Sequence, residues 1–185
     1  MSRHRYRQFD QIPFLLRRMT SLESLILYLR IADQNRIIDG TLVQNDILVY
    51  MSRLRSFTFY IGTDADPGAL SSKLSHEDIQ KTWINVGRRN VASVMNHVDL
   101  DEVLYFSFSL PFPFDYLEDF GIMFADIVFS RVTYLVVSEF KVFRHEFFVR
   151  IGRSFPLLKH LYILNVQSPL TADRIDWIYS VVFNG

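Results

Sequence analysis

Residues 155–164 read FPLLKHLYIL, and their spacing of apolar residues recurs three more times along the chain. Each copy follows the pattern apolar-x-x-apolar-x-x-apolar-x-apolar. The alternation at its end is typical of a strand that buries one face. The other copies are residues 19–28 (MTSLESLILY), 51–60 (MSRLRSFTFY) and 129–138 (FSRVTYLVVS). Recurrence in a similar local context indicates a repeated structural unit.

A helical pattern precedes each copy, so the chain alternates between helices and strands. Pro13 suits the first turn of one helix, and Asp115 can cap another. The helices are predicted over residues 12–19, 42–51, 115–124 and 145–154. The strands are predicted near residues 24–30, 55–61, 133–138 and 159–165. This order favours parallel strands that are joined by helical crossovers.

The middle of the chain departs from the repeat. Ser75 has the position of a helix N-cap, with acidic residues in the turn that follows it, and the helix should end by Gly87. Two further strands, 91–98 and 103–110, predict a hairpin inserted near residues 91–110. A short helix over residues 91–97 is the alternative at that point.

The combination of a helix, a turn and L-x-x-L-x-L resembles the leucine-rich repeat, in the irregular form found in F-box/leucine-rich-repeat proteins. Those proteins are substrate receptors of cullin ubiquitin ligases. The residues that carry the resemblance are Met19–Phe59, Arg89–Ser93, Ser109–Phe112 and Phe155–Leu164, within a region of roughly 12–166. The resemblance implies an α/β solenoid of alternating helices and mostly parallel strands, with irregular repeats. It also implies substrate recognition for a ubiquitin ligase.

Two features depart from that family. Asn165 alone stands near the place of the asparagine that usually closes the repeat strand, and the sequence ahead of the first copy is too short for an F-box. Binding to the ligase adaptor is therefore not expected. The expected organisation is a flexible segment over 1–11, a repeat domain over 12–166 and a divergent tail over 167–185, for which a helix is one option. A truncated or non-functional repeat fragment is an alternative reading.

In a repeat stack, one side of each strand faces the core and the other forms an open sheet surface. The outward positions would align as columns across five strands, and tyrosine occupies five of these positions. Tyrosine offers a large contact area with a polar tip at little entropic cost, which suits partner binding. We therefore predict an unidentified protein partner and a contact surface that includes Tyr28, Thr58, Tyr60, Tyr105, Tyr134, His160 and Tyr162.

Composition argues against several other functions. Lys+Arg and Asp+Glu number 20 each, so no strong positive charge favours nucleic-acid binding. The absence of Cys removes thiolate chemistry and disulfides, which fits an intracellular location, cytoplasmic or nuclear. No apolar run approaches the ~20 residues of a membrane span, and no secretory signal is recognisable. We therefore expect neither nucleic acid nor membrane as a partner.

No sequence motif indicates an enzyme. Phosphate-binding glycine loops, G-x-S-x-G and H-E-x-x-H are all missing from the chain. The prediction is accordingly a non-enzymatic module without catalytic residues, cofactor or metal. An enzyme without a recognisable motif stays an alternative, and it would require His145, His160 and a carboxylate to converge in one pocket.

Overall fold

The computed structural model describes residues 9–34, 36–65, 75–97, 103–120, 127–139, 144–165 and 177–182. These residues form two compact units. The helices are α1 (Gln11–Leu16), α2 (Gly40–Asp46), α3 (His76–Asn85) and α4 (His145–Ser154). The strands are β1 (Ser24–Gln34), β2 (Ser56–Ala65), β3 (Val91–His97), β4 (Val103–Ser109), β5 (Tyr116–Phe120), β6 (Tyr134–Glu139), β7 (His160–Asn165) and β8 (Trp177–Val182).

The first unit contains a four-stranded sheet in the order β1-β2-β4-β3. Strands β1 and β2 are parallel, and their register pairs Ser24 with Ser56 and Tyr28 with Tyr60. The sequence copies align the same residues, so their alignment corresponds to the real pairing of these two strands. Strand β4 lies antiparallel to β2, with Phe108 opposite Tyr60.

One face of this sheet is covered by helices, because α2 and α3 turn their apolar residues toward it. The Phe59 ring stacks on the Trp83 ring of α3 with centroids 4.4 Å apart. The core around this contact contains strand residues Leu25, Leu29, Phe57, Phe59 and Ile61, helix residues Val43, Ile79 and Trp83, and Ile47 directly after α2. Burial of these side chains is the main force that orders the unit.

The second unit contains the order β5-β6-β7-β8. Strands β5, β6 and β7 are parallel, and β8 lies antiparallel to β7. The side chains of Leu117, Leu135 and Leu161, which are paired across the three parallel strands, are all buried. Phe129 and Phe155 are also buried and stack with centroids 4.7 Å apart, and α4 buries Phe147 and Ile151.

The predicted solenoid is wrong. A solenoid would continue parallel pairing through the stack, whereas β2 is followed in the sheet by antiparallel β4 and β7 by antiparallel β8. Helices are also too few, since the described residues contain four, and none of them precedes β4, β5 or β6 directly. A physical reason lies in the short connection between β3 and β4, residues 98–102. A parallel crossover needs a dozen or more residues, and a connection this short favours antiparallel neighbours.

Two local predictions also changed. Residues 116–120, expected within a helix over 115–124, form strand β5. The described part of the tail, residues 177–182, forms strand β8 where a helix was one option. The predicted hairpin strands exist as β3 and β4, which are neighbours in the first sheet. The predicted boundaries near residues 11 and 166 stay predictions, because the segments 1–8 and 166–176 lie outside the described residues.

Within the described residues, no helix has both the length and the apolar character needed to cross a membrane.

Candidate functional site

Three of the predicted contact residues come together on the second sheet. Tyr134 of β6 pairs in register with His160 of β7 and with Tyr116 of β5, and Tyr162 follows two positions after His160. Because side chains alternate along a strand, these four share the face opposite the buried leucines. We call the side chains of Tyr116, Tyr134, His160 and Tyr162 the aromatic face.

Three rings of the aromatic face lie close together, and all four side chains keep some exposure to solvent. The Tyr134 ring centroid lies 5.0 Å from that of Tyr162 and 6.2 Å from that of His160. Tyr116 and His160 are exposed, while Tyr134 and Tyr162 are half-buried. Ring pairs at such distances favour a fixed arrangement of Tyr134, His160 and Tyr162 before a partner binds.

Carboxylates influence the same surface. Partial burial raises the pKa of the Tyr134 phenol, and the neighbouring Tyr162 and Glu118 raise it further. Partial burial also raises the pKa of Tyr116, and Glu118 and Asp115 add to this. Both phenols therefore stay protonated at neutral pH and can donate hydrogen bonds, beside acceptors that carry negative charge.

The predicted residues of the first unit lie in a different setting. Tyr28 and Tyr60 stack with ring centroids 4.5 Å apart. Tyr28 and Thr58 are half-buried, but the Tyr60 side chain has no exposed surface and also contacts Phe106 and Phe108. The prediction that the Tyr60 ring contacts a partner is therefore wrong, because the ring is buried within the protein.

Tyr105 is also misplaced by the sequence prediction. Only 6% of its surface is exposed, and it belongs to the core that the helices cover. The antiparallel register pairs Tyr105 with Thr63 and Phe106 with Gly62. The sequence prediction had placed Tyr105 on the outward side of this strand. Antiparallel pairing offsets this strand from the repeat alignment, and an offset of one residue exchanges the two faces.

The aromatic face contains one residue that sequence reasoning missed. Tyr116 was placed in the helix predicted over residues 115–124, with Asp115 as its cap. Leu117 and Phe120 lie three residues apart in this segment. Strand β5 changes register between these two residues, and the irregularity pairs Phe120 with Val137. A bulge of this kind replaces the two-residue period by three, which imitates a helix. The signal that could have identified the strand is the alternation of Tyr116, Leu117 and Glu118.

A second feature of this unit is a groove of about 550 Å³ beside α4. His145, Glu146, Arg150 and Arg153 contribute to its lining, together with the apolar side chains of Ile127, Val128 and Val149. His160 is not among the lining residues and lies on the aromatic face instead. The convergence of His145, His160 and a carboxylate that an enzyme would require is thus not observed here. Among the described residues, no three histidine or acidic side chains form a group that could hold a metal ion.

Comparison of the chain with models of protein families, with curated proteins and with solved structures found no match.

Proposed function

We propose that the chain is a protein-interaction module and that the aromatic face is its contact surface. The observation that carries this proposal is the clustering of Tyr116, Tyr134, His160 and Tyr162 on the solvent side of the parallel strands. Tyrosine is enriched among the residues that dominate binding energy, because it buries a large area and can still satisfy a hydrogen bond.

Several physical properties support a protein as the ligand. The ring contacts of Tyr134 with Tyr162 and His160 restrain these side chains in advance, which lowers the entropy lost on binding. The nearby carboxylate of Glu118 can accept hydrogen bonds from backbone or basic side chains of a partner. The balanced charge of the whole chain favours a protein over a nucleic acid. The ubiquitin-ligase role that the family resemblance implies stays a hypothesis.

Site-specific crosslinking tests the proposal. A photoreactive amino acid at position 162 should form a crosslink to a discrete partner in cells, whereas the same group at position 50 should not. Position 50 is a suitable control, since Tyr50 is also an exposed tyrosine but belongs to the first unit.

The captured protein is then purified, and its affinity is measured for two matched variants. Tyr134→Ser with Tyr162→Ser should weaken binding by about 2 kcal/mol or more, as expected for residues at the centre of an interface. Tyr50→Ser should leave the affinity unchanged. Equal binding by both variants, with the fold intact by circular dichroism, would show that the aromatic face is not the contact surface.

A further inference from the structure

The groove beside α4 is built from one side of that helix and the residues that precede Phe129. His145, Val149 and Arg153 stand four residues apart, so they lie one above another on the helix. Glu146 and Arg150 form the neighbouring row. The opposite side of the helix buries Phe147 and Ile151. The groove therefore uses the half of α4 that the core does not need.

Apolar surface is left open in this groove. Val128 is 58% exposed and Val149 is 38% exposed. Both line the groove, which has a volume of about 550 Å³. A space of this size can receive an apolar side chain of a ligand. Its binding would remove that side chain and the two valine side chains from water.

The described lining residues of the groove carry more positive than negative charge, although the whole chain has a net charge of zero. Arg150 and Arg153 supply two positive charges, and Glu146 supplies one negative charge. His145 adds positive charge when it is protonated. Guanidinium groups bind carboxylates through paired hydrogen bonds, so an excess of arginine beside an apolar floor selects ligands that are both acidic and apolar.

We propose that this groove binds a short acidic peptide segment of a partner protein. An apolar side chain of the peptide lies against Val128 and Val149, and its carboxylates pair with Arg150 and Arg153. A nucleic acid fits less well, because the lining residues that the structure describes include two arginines to hold phosphates but no aromatic ring on which a base could stack. This site is separate from the aromatic face, and it stands on different residues.

Fluorescence anisotropy with the full chain tests the proposal. The probe is a short fluorescein-labelled peptide that alternates glutamate with leucine, and the matched peptide has glutamine in place of each glutamate. The glutamate peptide should bind at least about tenfold more tightly, and added sodium chloride should weaken its binding, since charge attraction carries the difference. Equal affinities for the two peptides would overturn the proposal.

Substitutions inside and outside the groove test whether the peptide binds there. Arg150→Glu with Arg153→Glu should raise the Kd of the glutamate peptide about tenfold or more. Arg131→Glu makes the same charge change at an exposed position outside the groove, and it should alter the Kd less than about twofold. If the double variant unfolds early by circular dichroism, Arg153→Gln replaces it, and the expected rise is about threefold.

Two results would contradict an acidic-peptide site in this groove. One is equal peptide affinity in the folded groove variant and in the Arg131→Glu control. The other is a labelled oligothymidylate that binds more tightly than the glutamate peptide and loses its affinity in the groove variant, because the groove would then be a nucleic-acid site.

Discussion

Tyr60 and Tyr134 were both predicted to point away from the core, but they have different surroundings in the structure. Tyr60 is fully buried against Tyr28, Phe106 and Phe108, whereas Tyr134 is half-buried in an open face. A tyrosine contributes to binding when its ring can reach a partner, and to stability when the protein itself surrounds it. The residue type alone does not distinguish these roles.

Tyr60→Ala should lower the free energy of unfolding by about 3–5 kcal/mol, because it removes a buried ring and leaves a cavity. Tyr50→Ala is the control. Its ring is 45% exposed and contacts Arg17 through a cation–π interaction, so the cost should stay below about 1 kcal/mol. Urea unfolding followed by circular dichroism measures both. Similar losses for the two variants would contradict the buried position of Tyr60.

Two glycines should respond in opposite directions to substitution by alanine. A Cβ atom at Gly40 would lie 2.7 Å from the Trp83 backbone nitrogen, and backbone atoms of α3 cannot easily move. Gly40→Ala should therefore destabilise the fold by about 1–3 kcal/mol. Gly152 lies inside α4 with open space around it, so Gly152→Ala should stabilise by about 0.5–1 kcal/mol. Thermal unfolding shows whether each variant is more or less stable than the parent chain. A change in the same direction for both variants would contradict this packing of α2 on α3.

At the scale of elements, α3 shows how local sequence fixes both ends of a helix. The Ser75 hydroxyl accepts a hydrogen bond from the Asp78 backbone nitrogen, and the Asp78 side chain accepts one from the Ser75 backbone nitrogen. At the other end, Gly87 has a φ of 79°, and the Arg88 nitrogen donates to the Trp83 oxygen at 2.8 Å. This is the C-terminal motif that favours glycine.

The two reciprocal hydrogen bonds between Ser75 and Asp78 form a capping box, and they make the stability of α3 depend on pH. Hydrogen bonds from Ser75 hold the pKa of Asp78 below its ordinary value of 3.8, and Lys81 adds to this. The stabilisation is therefore complete above pH 3.8 and is lost as the pH falls through the lower pKa of the folded state. A nuclear magnetic resonance titration should show Ser75→Ala returning the Asp78 pKa toward 3.8. An unchanged pKa would mean that Ser75 does not hold the carboxylate. Asn85→Ala, at the other end of the helix, is the control.

Local signals also explain how much of the fold the sequence could predict. The cap at Ser75, the helix over 145–154 and the repeat strands depend on residues that are close along the chain, and these elements were confirmed. Strand order depends on distant pairing, so the repeat predicted β1 beside β2 and β6 beside β7 but not the antiparallel places of β4 and β8. For the candidate site, the sequence predicted Tyr134, His160 and Tyr162, which the structure brings onto one face, while the bulge in β5 concealed Tyr116.

At the scale of the whole molecule, the two units follow one plan. In each sheet, two neighbouring parallel strands carry the repeat, and the second of them is flanked by an antiparallel strand, β4 beside β2 and β8 beside β7. The repeat is therefore a property of each parallel run and does not extend through the chain. Because the parallel run of the second unit leaves one face without a covering helix among the described residues, that unit exposes the aromatic face.

The balance of charge predicts how the whole molecule responds to pH. With 20 basic and 20 acidic residues, the net charge is zero at pH 7 and the pI is about 7.0. Charge repulsion between molecules is then weakest near pH 7, so solubility should be lowest there and should rise on both sides. Precipitation by polyethylene glycol across a pH series measures this solubility.

Arg89→Glu with Arg131→Glu replaces two exposed positive charges by negative ones, which should move the solubility minimum below pH 7. A control with Arg89→Lys and Arg131→Lys keeps the charge and should keep the minimum. A minimum that stays at pH 7 in the glutamate variant would show that exposed apolar surface, and not net charge, governs association.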